Sequence, residues 1–241
     1  MAVAQKIRCR VERIADHGEH VYTIDLAPER RVPVFQPGQF LHLALDAYDP
    51  SGFWPESRVF SIASSPHQRE RLGITYSVQG RYTARMEREL VQGKQVWVKL
   101  PYGEFIVRAT SEVVLFAGGT GITAFTAFLD GLAPAFPHKV YLAYGARNAR
   151  LLIYRDWIEQ RAAIVPQLQP FYFVEQGTKG AAAAPSEIVG RLSVAAMWQR
   201  VENPLAATFY ISGPPPMLKA ISCDLGECGL RADAIRVDAW E

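Results

Sequence analysis

Between Glu112-Val113-Val114-Leu115-Phe116 and Ala124-Phe125-Thr126-Ala127-Phe128-Leu129 the chain carries Ala117-Gly118-Gly119-Thr120-Gly121-Ile122-Thr123. The first run is apolar and β-branched, as a buried strand requires, and the last can enter a helix. Strand, glycine turn and helix in succession leave few folds open, and they are the layout of a phosphate site. Glycines let the backbone turn sharply and approach a ligand, while a helix start offers free N–H groups and partial positive charge to an anion. Gly119-Thr120-Gly121-Ile122-Thr123-Ala124 fits the dinucleotide pattern G-x-G-x-x-G/A, which also expects an acidic residue about 20 positions on to hold a ribose hydroxyl. The next strand candidate, Val140-Tyr141-Leu142-Ala143-Tyr144, ends instead in Gly145-Ala146-Arg147. Taken alone, a tight turn with no ligand fits the glycines nearly as well as a nucleotide cradle does.

The 241 residues suffice for two domains, each with its own core. A hydrophobic fraction of 49% with 21% charged residues is that of a globular protein. The formal net charge of +2 gives no global field for nucleic acid or an anionic membrane. No stretch reaches the roughly 20 consecutive apolar residues of a spanning helix, so no membrane insertion is expected. Met1 to Arg10 carries charges where a signal peptide would be apolar, and a cytoplasmic protein is expected. Cys9, Cys223 and Cys228 are too few for a disulfide framework and are expected to be small buried side chains. Cys223 and Cys228 lack nearby ligands to complete a metal or iron-sulfur site, so neither is expected within this chain. His17 and His20 share a polar stretch that reads as a turn between strands, and His42, His67 and His138 stand apart.

Lys6 to Glu12 alternates charged and apolar residues, the pattern of a strand with one wet face. Val21 to Leu26, Gln39 to Leu45, Leu72 to Val78, Gln95 to Leu100 and Glu104 to Val107 are further candidates. Short strands separated by Asp, Pro and Gly turns predict an antiparallel barrel or sandwich over residues 1–108. Alternation along Arg58-Val59-Phe60-Ser61-Ile62-Ala63 places Arg58, Phe60 and Ile62 on one face and Val59, Ser61 and Ala63 on the other. A cation, an aromatic ring and a hydroxyl thus lie within four residues, although an ordinary edge strand has the same pattern. Gly80-Arg81-Tyr82-Thr83 precedes a helix predicted through Leu90, with Thr83 as its cap and a helix start able to receive a phosphate.

Residues 109–241 predict an α/β domain with a doubly wound parallel sheet. Its strand candidates are Val113 to Ala117, Val140 to Tyr144, Phe171 to Val174, Thr208 to Ser212 and Ile235 to Val237, with ligands expected beyond their carboxyl ends. Leu151 to Ile158 reads as an amphipathic helix in which Tyr154 and Trp157 make core contacts. Gly177 to Ala184 reads as a loop leading to a helix near Glu187.

Taken in order, Pro37-Gly38-Gln39-Phe40, Arg58-Val59-Phe60-Ser61, Gly80-Arg81-Tyr82-Thr83, Pro101-Tyr102-Gly103-Glu104-Phe105, Gly118-Gly119-Thr120-Gly121-Ile122, Tyr144-Gly145-Ala146-Arg147 and Ser212-Gly213-Pro214-Pro215-Pro216-Met217 resemble the ferredoxin-NADP reductase superfamily. The similarity is to its compact NAD(P)H-flavin reductase and oxygenase-reductase branch without an iron-sulfur domain, and it covers nearly the whole chain. It implies a flavin-binding barrel followed by a nicotinamide-nucleotide domain. In that family Arg58 would pair with a flavin phosphate, Val59 and Phe60 would pack at the flavin and Ser61 would hydrogen-bond near flavin N5. Gly80, Arg81, Tyr82 and Thr83 would bind the pyrophosphate through backbone groups. FAD is then the expected prosthetic group, with FMN the second candidate. Gly118, Gly119, Thr120, Gly121, Ile122 and Thr123 would meet the pyrophosphate of NAD(P)H, and Ser212, Gly213 and Pro214 would lie near the nicotinamide.

Three positions depart from the family pattern. Phe60 replaces a usual Tyr and loses its phenolic hydrogen bond, Ala124 stands where Pro is common, and Ser212 replaces a frequent Cys while keeping a small hydrogen-bonding group. Arg147 could bind an NADP 2′-phosphate in place of the missing acid, and nearby Arg150 and Arg155 favour NADPH, with NADH open. A C-terminal aromatic approaches the flavin in some relatives, so Trp240 could shield the ring or simply pack on the sheet.

The resemblance implies an FAD-dependent oxidoreductase that takes a hydride from NAD(P)H, with Ser61 and Ser212 as catalytic residues. The electrons would pass to a separate acceptor protein such as a ferredoxin, a flavodoxin or an oxygenase component. Reduction of free flavin and a non-enzymatic flavin- or nucleotide-binding module of a redox complex are the alternatives.

Overall fold

The computed structural model describes residues 3–176 and 186–239. The expected loop at 177–184 and Trp240 lie outside the described residues. The chain divides into two compact units, one comprising Met1–Ile106 with Thr126–Phe128, the other Val107–Phe125 with Leu129–Glu241.

The first unit is built from β1 (Gln5–Asp16), β2 (Val21–Pro28), β3 (Phe40–Ala44), β4 (Ser57–Ser61), β5 (Leu72–Ser77), helix α1 (Arg81–Glu89) and β6 (Gln95–Tyr102). The strands pair antiparallel in the order β4-β3-β6-β1-β2-β5. The two edges of that order approach each other, since Ala63 N, just past β4, donates to Gly73 O of β5 at 2.8 Å, and the sheet is a nearly closed barrel. Period-2 alternation is the cause: Ile7, Cys9 and Val11 point into the core while Arg8 and Arg10 face outward. Burying a side chain such as Ile7 or Leu43 contributes roughly 1.5–3 kcal/mol.

Glu104 to Val107, expected as the last strand, is not one. Gly103 takes a left-handed φ of 98°, and Phe105 lies against Gly38, where an added Cβ would stand 2.3 Å from Phe105 O. Gln39 Nε2 also donates to Gly103 O at 3.1 Å. The two motifs containing Gly38 and Gly103 therefore brace each other, and the sixth strand is β4.

The second unit contains β7 (Val113–Gly118), α2 (Thr123–Asp130), β8 (Val140–Ala146), α3 (Arg155–Ile164), β9 (Leu168–Val174), β10 (Glu187–Val189), α4 (Val194–Trp198), β11 (Thr208–Ser212), α5 (Pro215–Glu227) and β12 (Ile235–Val237). All strand pairs are parallel, in the order β10-β9-β8-β7-β11-β12. Every residue of β7 and β8 is buried, which explains why their sequences run apolar without alternating. On one face Val114, Phe116, Phe209 and Ile211 pack with Val194 and Met197 of α4 and Leu218, Ile221 and Leu225 of α5.

Three expectations need correction here. Leu151 does not begin a helix: Asn148 Oδ1 accepts from Arg150 N at 3.1 Å and Leu151 N at 3.3 Å, capping a short 3₁₀ turn, and α3 starts at Arg155. Glu187 opens a strand rather than a helix. Of the cysteines only Cys9 is buried, and Cys223 and Cys228 are exposed on and just after α5. Burial raises the Cys9 thiol to about 12. No helix among the described residues is long and apolar enough to cross a membrane.

Candidate functional sites

The strand order of the second unit reverses between β7 and β11, and open α/β sheets bind ligands beyond the carboxyl ends of the strands at such a switch point. Those two strands end in Gly118 and Ser212, with Ser212 paired to Ala117. Gly118 to Thr123 and Ser212 to Pro214 are thereby brought together. A Cβ added at Gly121 would stand 2.4 Å from Ser212 O, and one at Gly118 would stand 2.5 Å from Met217 Sδ. Gly121 is required by the close packing of the two loops, whereas at Gly118 the nearest atoms belong to the flexible Met217 side chain, which can give way, and to Pro214 Cδ at 3.0 Å. Gly119 is different: it has φ 55° with nothing within 4 Å of an added Cβ, so its backbone turns left-handed beside open space.

Gly119–Ile122 forms a 3₁₀ turn, and α2 follows directly. Thr123 closes the turn by donating from Oγ1 to Thr120 O at 2.8 Å. Beside the switch point, Ser212 Oγ donates to Asp238 Oδ2 at 2.8 Å, and Asp238 N donates to Ile211 O at 2.9 Å, so the residue just after β12 is tied to the end of β11. Asp238 was not singled out from the sequence. It lies far along the chain from Ser212, and only the parallel pairing of β11 with β12 joins them.

Arg147 is exposed at the end of β8, where its carbonyl accepts from Gln176 N at 2.7 Å. Arg150 is exposed nearby. Arg155 does not form a cation cluster with them: its Nη1 pairs with Glu187 Oε2 at 2.8 Å and its guanidinium lies 4.7 Å from the centre of the Tyr172 ring.

In the first unit, β4 has the alternation read from its sequence, with Phe60 and then Ile62 buried. Phe60 meets Tyr76 edge-on at 6.1 Å, while Val59 and Ser61 are partly exposed. Arg58 is held by its own surroundings: Nη1 donates to Ser57 O at 2.8 Å, and the guanidinium lies 5.0 Å from the Tyr82 ring centre. Tyr82 is a core residue whose hydroxyl donates to Leu43 O at 2.7 Å and accepts from Leu45 N at 3.2 Å. Burial pushes this phenol well above its usual range. Only the backbone of Tyr82 is therefore placed to meet a ligand.

Thr83 is not the N-cap of α1; Gly80 is. From the first turn, Thr83 Oγ1 accepts from Gln79 N at 2.9 Å and Gly80 N at 3.1 Å. Those two N–H groups are thus occupied within the chain, and an anion at this turn would have to meet the N–H groups that follow Gly80. Helix α1 is anchored to the end of β3 by Arg85, which pairs with Asp46 and, at 2.7 Å, with Glu89.

The two arginines of this region converge. Arg58 Nη2 and Arg81 Nη2 each lie 3.2 Å from the same atom, Glu56 Oε1. One oxyanion oxygen can therefore engage both guanidinium groups, an arrangement that could also receive a phosphate oxygen. That convergence and the open space at Gly80 fit a flavin phosphate; the switch-point loops fit a nicotinamide nucleotide. Two of the histidines are engaged elsewhere, His17 with Thr23 at 2.9 Å and His20 with Glu87 at 2.7 Å. Among the described residues no three His, Cys, Asp or Glu side chains group to hold a metal.

Comparison with known proteins agrees with this arrangement. Residues 115–222 match the oxidoreductase NAD-binding domain family. The chain is 30% identical over 227 residues to a flavohemoprotein of Pseudomonas putida, covering 92% of this chain and 55% of that protein. It is 28% identical over 228 residues to the reductase component of phenol 2-monooxygenase from Pseudomonas sp. strain CF600, covering 87% and 58%. The chain thus spans little more than half the length of these curated relatives. Its fold matches the flavohem-like FAD/NAD-binding domain of nitric oxide dioxygenase from Vibrio cholerae, with a TM-score of 0.81, 19% identity, and 97% and 98% of the two chains covered. Residues 115–222 thus carry the pattern of an oxidoreductase NAD-binding domain, and the chain shares its two-unit fold, a barrel followed by a parallel α/β sheet, with the FAD/NAD-binding domain of that dioxygenase.

Proposed function

We propose that this chain is an FAD-dependent NAD(P)H oxidoreductase that delivers electrons to a separate acceptor protein. The observation that carries the reading is the switch point of the parallel sheet, where two glycine loops meet beside a buried Ser212–Asp238 pair. When bound, FAD would supply the redox chemistry, taking a hydride from NAD(P)H and releasing the electrons onward. The backbone of Gly118 to Thr123 holds the dinucleotide phosphates, and Arg147 selects the 2′-phosphate of NADPH. Ser212, fixed by Asp238, positions the nicotinamide, and the nearby carboxylate favours the positive charge that the ring gains as hydride leaves. Arg58, Arg81 and the first turn of α1 hold the flavin phosphates. Ser61 supplies a hydrogen bond at the ring edge, with Phe60 and Val59 beside it.

The phenol 2-monooxygenase relative is a reductase component by name, which favours an oxygenase component or another redox protein as acceptor. Anaerobic stopped-flow mixing of the flavin-loaded protein with NADPH and NADH separately tests the reading. Bleaching of the flavin is expected, faster with NADPH. A protein that neither takes up flavin nor oxidises either nucleotide would falsify it.

A further inference from the structure

We infer that Glu56 is an internal competitor for the flavin phosphates and sets how tightly the flavin is held. The inference rests on the flavin reading above and concerns a residue outside the motifs that suggested it. Glu56 Oε1 accepts from Arg58 Nη2 and from Arg81 Nη2, both at 3.2 Å, although Arg81 stands 25 positions away in sequence. The carboxylate is therefore the shared ligand of the two cations assigned to the phosphates.

Its position is built rather than incidental. Tyr82 OH, whose proton goes to Leu43 O, also lies 3.3 Å from Glu56 O, and Trp54 Nε1 donates to Ser57 Oγ at 3.0 Å, so the residues flanking Glu56 are tied together close to the start of α1. Arg58 is stacked on the Tyr82 ring, so it cannot follow a ligand far without losing that contact. A phosphate oxygen that engages both Arg58 Nη2 and Arg81 Nη2 takes the donors that Glu56 now holds, and it brings its own negative charge up to the carboxylate. The side chains of Arg58, Glu56 and Arg81 are 50%, 40% and 87% exposed, so the ion pairs are weak enough to be exchanged. With Glu56 ionised the two arginines present one net positive charge to the diphosphate; without it they present two.

Glu56→Gln removes the charge and keeps the shape. Titration of flavin-free protein with FAD and, in parallel, with riboflavin, both followed by flavin fluorescence, tests the consequence. Exposed charge pairs of this kind each correspond to about two- to fivefold in a binding constant, and a gain of that order is expected for FAD in Glu56→Gln. Riboflavin, which lacks phosphate, is expected to bind both proteins alike, which also reports an intact ring site. If Glu56→Gln binds FAD no more tightly than the parent, or gains equally for riboflavin, the inference is overturned. If the parent protein binds no FAD at all, the flavin reading itself fails, and the inference with it.

Discussion

Ser212 Oγ donates a 2.8 Å hydrogen bond to Asp238 Oδ2, and the two residues are only 2% and 4% exposed. A hydroxyl and a carboxylate buried at the end of a parallel sheet must satisfy each other, because an unpaired polar group there carries its full desolvation cost. Asp238→Ala is expected to destabilise the second unit by about 1–3 kcal/mol, measured by urea unfolding. Asp238→Asn can still accept from Ser212, so it should fold nearly as well. Its loss of charge should slow flavin bleaching by NAD(P)H about tenfold or more, with little change in flavin affinity. Unchanged bleaching in Asp238→Asn would assign the carboxylate to packing alone.

The contact of Gly121 with Ser212 makes a second prediction. A methyl group at Gly121 would lie 2.4 Å from Ser212 O, so Gly121→Ala must push apart the two loops that form the switch point. A cost of about 1–3 kcal/mol and a clear loss of nucleotide affinity are expected, with FAD binding retained. Gly119→Ala meets no neighbour and pays only for its left-handed backbone, about 1–2 kcal/mol. Equal thermal shifts and equal nucleotide affinities in the two variants would remove the packing explanation.

The strand-turn-helix at Gly118 was legible because three local signals coincide: an apolar strand, glycines and a following helical run. The alternation of β1 and the buried run of β8 were legible for the same reason. Glu104 to Val107 misled because its apolar residues answer to the turn at Gly103 and to packing on Gly38, not to a strand partner. Glu187–Val189 was too short to carry a periodic signal, and its pairing with β9 is a tertiary fact. Glu56 and Asp238 were missed on similar grounds. An acidic residue in a loop reads as solvated until folding brings Arg81 or Ser212 to it.

The hairpin between β1 and β2 is expected to tie α1 down in a pH-dependent way. His20 Nδ1 lies 2.7 Å from Glu87 Oε1, and Tyr22 OH donates to the same oxygen at 2.8 Å. The Glu87 hydrogen bond raises the His20 pKa above its ordinary 6.5, and the bonds from His20 and Tyr22 lower that of Glu87 below its ordinary 4.5. The histidine contribution is fully present below its unfolded value and is lost as pH rises through the raised folded value. The glutamate contribution is present above its unfolded value and is lost as pH falls through the depressed folded value. Their joint effect is therefore greatest between those two ordinary values. His20→Gln should cost more stability at about pH 5.5 than at about pH 8 in paired denaturant melts. A difference independent of pH would mean that the pair holds no charge.

The arginines near the end of β8 are predicted to separate by role. Arg155 is committed to Glu187 and to the Tyr172 ring, and both side chains of its ion pair are mostly buried. Arg155→Ala should therefore lower stability by about 1–2 kcal/mol and leave coenzyme preference alone. Arg147 is exposed at the turn after β8, where the dinucleotide pattern expects the ribose contact and no carboxylate is present in the sequence. A guanidinium there favours an added phosphate over a bare hydroxyl, so Arg147→Ala should reduce the ratio of kcat/KM for NADPH to that for NADH by about tenfold. The loss should fall mainly on KM for NADPH, because the 2′-phosphate is remote from the reacting carbon and is bound equally before and during hydride transfer. If the ratio moves in Arg155→Ala and not in Arg147→Ala, the 2′-phosphate lies on the side of Tyr172 and the assignment of Arg147 is wrong.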